Sequence, residues 1–254
     1  MEPFEFVGDW SGQLVATSIH GGHDLRPEVA ELMVLPEDDR FREEDPYTDR
    51  IAALAPARVR VHRSRFETDL NRVREKAVYR RPEDAWGLHM WSVDPLPDDV
   101  VARSLEVYDG FFAALGERLD AVAARGPFVL YDVHSYNHRR HGEEADAEPW
   151  VENPEINLGT GSVDLDRFQG VVDAFRGSML GQGFDIRENV KFKGQNLAWW
   201  VHDRYAGVGC VLAIEFKKTF MDEWTGVPDD DRITFLSRAL AATMDPVLEA
   251  LPRD

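Results

Sequence analysis

Histidine and carboxylate chemistry is concentrated at a few points of this chain. His20 follows an apolar run and precedes Gly21 and Gly22, a pair that permits a tight turn and the close approach of a ligand. His134 closes Phe128-Val129-Leu130-Tyr131-Asp132-Val133-His134, with Asp132 two residues before it to fix the ring's tautomer from behind. Two imidazoles at the ends of separate strands suit zinc, which takes three protein ligands and keeps a fourth position open for catalysis. The third donor has to be found elsewhere. His23 has ligand spacing from His20 but reads first as a solvated loop residue, and Glu43-Glu44-Asp45-Pro46-Tyr47-Thr48-Asp49 offers four carboxylates, of which Glu43 and Glu44 read first as a solvated acidic turn.

Other residues carry acid-base and anion chemistry. Glu215 ends the most apolar run of the chain, Val208 to Ile214, where burial would raise its pKa and fit it for general acid-base work. Lys217 or Lys218 could instead neutralise it. Arg65, Asn71 and Arg72 lie just past another strand. A guanidinium holds a carboxylate through two parallel hydrogen bonds and an asparagine adds a neutral donor, so these residues suit an anionic substrate. The competing role for Arg65 is an ion pair with Asp69. Cys210 reads as a small buried hydrophobe rather than a nucleophile.

Positioning these groups requires a scaffold. Gly12 to Ile19, Val59 to Arg65, Phe128 to Tyr131, Phe184 to Arg187 and Val208 to Ile214 have the patterns of strands. Asp45 to Ala55 reads as a short helix with Asp45 as N-cap and Pro46 in the first helical position. Pro97 to Arg125 is a long helix with apolar residues from Val101 to Val122 at three- and four-residue spacing, stopped by Gly126-Pro127. Asp166 to Leu180, Asn196 to Tyr205 and Arg232 to Leu251 complete the helices, and Glu143 to Asn157 is expected to be a long polar loop. Alternating strands and helices predict an α/β domain over residues 1–254, with a mostly parallel or mixed central sheet and helices on both faces. Such sheets bind ligands beyond the C-terminal ends of their strands, where His20, Arg65, His134 and Glu215 all fall.

Composition narrows the function classes. Of 254 residues, 43% are hydrophobic, enough for a packed core, and the formal charge is −18. An acidic surface repels phosphate backbones and anionic membranes, so neither nucleic acid nor a membrane is an expected partner. No apolar stretch approaches the ~18 residues of a membrane span. The first residues, Met1 to Phe6, lack a basic region and an apolar stretch, so no secretory leader is expected. A single cysteine excludes an intrachain disulfide framework and fits a reducing cytoplasm.

Five motifs, in order between about residue 15 and residue 226, resemble the N-formylglutamate amidohydrolase family. Ser18-Ile19-His20-Gly21-Gly22 is similar to its Ser-x-x-His-x-Gly start. Glu44-Asp45-Pro46-Tyr47-Thr48-Asp49 is similar to its acidic segment, and Asp69-Leu70-Asn71-Arg72 to its Asp-x-Asn-Arg. Asp132-Val133-His134-Ser135 resembles its x-x-His-Ser, and Ile214-Glu215 followed by Phe220-Met221-Asp222-Glu223 its closing motif. The segments His138-Arg139-Arg140-His141 and Lys217-Lys218 depart from the pattern of the histidine-degradation enzyme.

The resemblance implies a zinc exopeptidase-like (phosphorylase/hydrolase-like) fold. It also implies one zinc ion on His20, His134 and a carboxylate, taken as Asp45, with Asp49, Glu44 and His23 as the alternatives. Asn71, Arg72 and Lys218 would bind a small anionic amino-acid derivative, Arg65 would steady the oxyanion, and Glu215 would be the general base toward a zinc-activated water. The implied reaction is hydrolysis of an N-acyl amino acid such as N-formylglutamate. A carboxypeptidase, another N-acyl amino acid deacylase and a metal-free binding module for an anionic metabolite are the rival expectations.

Overall fold

The structure, a computed structural model, describes residues 2–253. Met1, part of the segment read for a leader, and Asp254, the end of the expected domain, lie outside the described residues. In chain order the strands are β1 (Phe4–Gly8), β2 (Leu14–Ser18), β3 (Ala57–Val61), β4 (Phe128–Tyr136), β5 (Ile156–Gly159), β6 (Ile186–Glu188) and β7 (Gly209–Lys217). The helices are α1 (Pro27–Ala30), α2 (Glu37–Glu43), α3 (Thr48–Ile51), α4 (Asp98–Ala123), α5 (Leu165–Gly181), α6 (Asn196–Arg204), α7 (Asp230–Ala241) and α8 (Met244–Glu249). The strands form one mixed sheet in the order β1-β3-β2-β4-β7-β5-β6. Its centre, β3-β2-β4-β7, is parallel; β1 and β5 join antiparallel. The class is α/β with helices on both faces, as expected.

Alternation along the central strands divides the core in two. In β4, Val129, Tyr131 and Val133 enter a cluster with Phe168 and Phe175 of α5 and Leu236 and Leu240 of α7. Phe128 and Leu130 point the other way, onto Phe111, Leu115 and Leu119 of α4 and Leu197 and Val201 of α6. Each such side chain, fully buried, stabilises the fold by about 1.5–3 kcal/mol relative to exposure. Asp98 and Asp99 favour the start of α4 by facing the positive end of its dipole. A third cluster, with Phe66, Tyr79, Trp91 and Val101, anchors the long segment between β3 and α4. That segment carries Arg65, Asn71 and Arg72.

The structure corrects several expected boundaries. The helix expected from Asp45 begins three residues later, at Thr48, because Tyr47 holds a left-handed φ of 66°. Asp45 is therefore no helix cap, and its side chain turns inward. The strand from Phe128 runs on to Tyr136, with Asp132 and His134 on the face opposite Val133. The strand from Gly209 likewise runs on through Glu215 to Lys217. The strand expected to reach Arg65 stops at Val61, beyond which Arg63 forms a single bridge to Asp24. The polar stretch from Glu143 ends in β5, where Asn157 satisfies the backbone of Lys191 and Phe192. The terminal helix is two helices, since Pro246 has no N–H to bond the carbonyl of Ala242.

Gly22 was expected to admit a ligand. It instead admits the backbone: a Cβ there would lie 2.4 Å from the carbonyl of His62. Its role is to seat the turn after His20 against the end of β3. Gly22→Ala should destabilise the protein by about 1–3 kcal/mol through this overlap, and thermal melting should show a lower midpoint. An unchanged midpoint would mean that the turn shifts freely.

Candidate active site

Parallel register between β4 and β7 puts His134 directly across from Glu215 on one face of the sheet. His20 lies two residues beyond β2, the neighbour of β4 on its other side. Asp45 arrives from the turn before α3, held by its N–H on the carbonyl of His20 at 2.9 Å and by Thr48 Oγ1 on its own carbonyl at 2.7 Å. The three side chains meet. Asp45 Oδ2 is 3.0 Å from His134 Nδ1 and 3.4 Å from His20 Nδ1, and the imidazole centroids are 4.9 Å apart. One donor atom from each residue can be chosen so that all lie within 4.8 Å of one another, and all three residues are buried.

Outer partners fix the rings. His20 Nε2 is 2.7 Å from Asp69 Oδ1. Asp69 is itself held by Arg65 Nη2 at 2.8 Å and by the Tyr79 hydroxyl. His134 Nε2 makes an ion-pair contact of 2.9 Å with Asp132 Oδ2, out of line for a hydrogen bond. Asp132 Oδ1 accepts from Thr17 Oγ1 across the β2–β4 pairing. Both histidines thus turn one nitrogen to a carboxylate and leave Nδ1 toward Asp45, and His20 Nδ1 is buried without a hydrogen-bond partner. Imidazoles braced this way by carboxylates are the usual surroundings of a bound cation. The donor set and its orphaned nitrogen therefore fit a divalent ion.

The electrostatics agree. Burial pushes the Asp45 carboxyl up, but the hydrogen bond with His134 and the nearness of both imidazoles outweigh it and hold the group well below the usual carboxylate range. Burial disfavours a charged His134, yet Asp132 and Asp45 raise its pKa well above the ordinary value, so a cation must displace a proton there. Glu215 is enclosed by the protein but keeps part of its side chain open to the cavity. Burial, opposed by the charge of His134 and reinforced by Asp45 and Asp132, raises its pKa to about 8.

A cavity of about 140 Å³ opens over this floor, lined by His20, Asp45, His134, Glu215, Arg65, Asn71, Arg72 and Lys218. The structure thus brings all eight candidate residues to one site. Their partners differ from some expectations. Arg65 does form the ion pair with Asp69, and it also faces the cavity, with its guanidinium 5.0 Å from the Trp86 ring. Asn71 Oδ1 accepts from the Leu197 N–H at 3.2 Å, leaving its NH2 group as the donor. Lys218 does not neutralise Glu215: its amine bonds the carbonyls of Arg42 and Glu44, the latter at 2.6 Å, and burial lowers its pKa. Lys217 bonds the carbonyl of Asn153.

The alternative third donors are engaged elsewhere, Asp49 with Arg60 and His23 with Glu44, in a group that includes Arg40. The role of Asp69 behind His20 was missed by sequence reasoning, which paired it only with Arg65. The signal available was its place two residues before Asn71 in the same loop. Trp86, which carried no sequence signal beyond residue type, also lines the cavity, as does Arg140 of the segment that departs from the family pattern.

Glu215 sets a pH dependence. Its folded pKa, about 8, exceeds its ordinary 4.5, so its ionisation penalises the native state. The penalty is absent below pH 4.5, grows as pH rises and is complete above about 8. Metal-free Glu215→Gln should therefore melt several degrees above metal-free wild type at pH 8, with the gap closing near pH 4.5. A pH-independent gap would contradict the buried-acid description.

Comparison with known proteins places the chain. The family model described as N-formylglutamate amidohydrolase matches residues 12–221. No curated protein matches. Among solved structures, the chain is similar to an N-formylglutamate amidohydrolase from Ralstonia eutropha JMP134, at 19% identity and TM-score 0.78, covering 98% of this chain and 97% of that one. It is also similar to a gene product from Agrobacterium tumefaciens, at 15% identity and TM-score 0.65, covering 96% of each. A putative carboxypeptidase A from Shewanella denitrificans OS-217 aligns at 15% identity and TM-score 0.44, covering 98% of this chain and 61% of that one. Since the family model spans most of the sequence, including all eight residues that line the floor and walls named above, this chain belongs to the N-formylglutamate amidohydrolase family.

Proposed function

We propose that this protein is a metal-dependent amidohydrolase that cleaves an N-acyl amino acid, with N-formylglutamate as the reference substrate. The observation that carries the reading is the convergence of His20, Asp45 and His134 beside an acid whose pKa lies near neutrality. These three residues would hold one divalent cation, zinc being the ion that favours such a nitrogen and oxygen donor set. When bound, the cation supplies Lewis-acid polarisation of the amide and of a water.

The remaining work falls to the chain's own groups. Glu215, as carboxylate, takes a proton from the attacking water and returns it to the nitrogen of the leaving amine. The water oxygen forms the new bond to the acyl carbon, the carbon–nitrogen bond breaks, and a carboxylic acid and an amino acid leave. A pKa near the working pH lets one group accept and donate in turn. Arg72 and the Asn71 amide hold the amino-acid carboxylate and set the register of attack. Arg65, steadied by Asp69, faces the oxygen on which negative charge develops. Lys218, tied to the 42–44 segment, contributes a fixed positive charge toward the substrate.

A single catalytic domain in a reducing cytoplasm completes the reading, consistent with one buried, unpaired Cys210. Among the described residues no helix is long and apolar enough to cross a membrane.

Glu215→Gln should lower turnover of N-formylglutamate by roughly 10²–10⁴, the usual worth of a positioned acid-base, while elemental analysis still finds one divalent ion per chain. His20→Ala should lose both ion and activity. Full activity in the Gln variant, or wild-type protein without any bound cation after loading, would refute the mechanism. A panel of N-formyl, N-acetyl and peptide substrates separates deacylase from carboxypeptidase.

A further inference from the structure

Trp86 borders the main cavity, yet the chemistry described so far gives it no task. Its side chain is 53% exposed, too open for core packing to explain its place. Its backbone is left-handed, with φ 54°, and Gly87 follows with φ 90°. A bulky residue disfavours that conformation, which persists only where the surroundings impose it. Here they do. Pro82–Ala85 forms one tight helical turn, closed by the Gly87 N–H on the carbonyl of Pro82 at 2.7 Å and by the Leu88 N–H on that of Ala85 at 2.9 Å. Asp84 accepts from the N–H groups of Arg80 and Arg81 at 2.9 and 3.1 Å. Ala85 is sealed into the cluster of Phe66, Tyr79 and Trp91. The turn is anchored, while the indole it carries stands at the cavity rather than in the core.

What the indole meets is Arg65. The guanidinium carbon lies 5.0 Å from the indole ring centroid, within reach of a cation–π contact. The hydrogen bonds of Arg65 lie along one edge: Nη2 donates to Asp69 Oδ2 at 2.8 Å and to the Tyr79 hydroxyl at 3.3 Å, while Nε is buried without a hydrogen-bond partner. Trp86 also meets Tyr79 edge-on, with ring centroids 6.2 Å apart. The guanidinium therefore has one edge tied and one face covered. Asp69 and Tyr79 alone would leave the planar group free to tilt about that edge, and water free to reach both faces. Excluding water from one face strengthens the action of a positive charge on a negative charge forming nearby.

We infer that Trp86 is a positioning residue for Arg65: it covers one face of the guanidinium and holds the group aimed at the oxygen on which negative charge develops. The inference rests on the hydrolase reading of the main cavity. It also accounts for the left-handed backbone, which carries the indole over the guanidinium. A charge that forms only as the amide is attacked makes the contact matter for turnover and not for substrate binding. The half-exposed indole is not needed for folding, and glycine adopts a positive φ without strain. Trp86→Gly is therefore expected to melt no lower than wild type, which a residue kept for packing would not allow.

The test uses full-length protein loaded with zinc, as wild type, Trp86→Gly, Trp86→Phe, Arg65→Gln and the Arg65→Gln/Trp86→Gly pair. Hydrolysis of N-formylglutamate and N-acetylglutamate is measured alongside thermal melting. Calorimetry on the same samples follows glutamate and its methylphosphonamidate, a stable tetrahedral anion. Trp86→Gly should lower kcat roughly tenfold, the worth of one desolvated cation–π contact, with KM within about twofold of wild type. Trp86→Phe, which keeps an aromatic face, should recover most of that loss. In the Arg65→Gln background Trp86→Gly should cost nothing further, because its effect passes through the missing guanidinium. Affinity for the phosphonamidate should fall with kcat, while affinity for glutamate holds. An unchanged kcat in Trp86→Gly, a loss confined to KM, or a full further loss in the Arg65→Gln background overturns the inference. If wild type hydrolyses neither substrate, the hydrolase reading fails. Calorimetry then decides separately: phosphonamidate binding that weakens in Trp86→Gly but not in the Arg65→Gln background supports the link to Arg65, and binding indifferent to Trp86 overturns it.

Discussion

A carboxylate held between two imidazoles is the interaction around which the site is arranged. Burying Asp45 with His20 and His134 is unfavourable unless every charge is answered. The structure answers them in a chain: Asp69 behind His20, Arg65 and Tyr79 behind Asp69, Asp132 behind His134, Thr17 behind Asp132. At the centre of the triad His20 Nδ1 is left without a hydrogen-bond partner. A buried network of braced charges with an imidazole nitrogen left open at its centre is suited to a ligand at that centre. The left-handed Tyr47 belongs to the same arrangement, since it lets the chain turn immediately after Asp45 has pointed inward. Its hydroxyl is anchored 2.8 Å away on the carbonyl of Gly226.

The parallel centre of the sheet was legible because buried parallel strands are apolar without interruption, as in Phe128 to Tyr131 and Val208 to Ile214. The edges were not. Strand β1 repeats Phe-Glu-Phe in an alternation that was there to be read; Phe4 packs edge-on against Phe111 at 5.5 Å. Strand β5 is short and carries Asn157, whose burial depends on backbone groups of Lys191 and Phe192 that no local pattern announces. Proline explained the broken terminal helix only once its missing donor could be set against Ala242. Boundaries failed most where side chains serve the site. Asp132 and His134 look like the end of a strand because they are polar, yet they continue it on the face that looks into the cavity.

At the site, residue types and strand ends pointed to His20, His134, Arg65 and Glu215, and the structure gathers them. The choice among Asp45, Asp49, Glu44 and His23 depended on a turn conformation, which is a property of backbone angles rather than of composition. The partner of His20 depended on a loop returning from beyond β3, and the neighbours of Lys218 on a segment 174 residues away in the chain. Long-range pairings of this kind leave no periodicity behind. Net charge was similarly uninformative about the cavity, since an acidic exterior encloses a wall of arginines.

The distances along the chain between these partners carry a consequence for assembly. Asp45 and His134 are separated by 89 positions, and Thr17 and Asp132 by 115. No fragment that omits any one of the turn after β2, the turn before α3 or β4 contains the donor triad. Such contacts form late, after the entropy of closing long loops has been overcome, and a topology rich in them folds slowly. Any ion the triad holds binds the native sheet and not the open chain, so its affinity is added to the stability of the entire molecule. Cofactor supply would then govern lifetime in the cell as well as turnover.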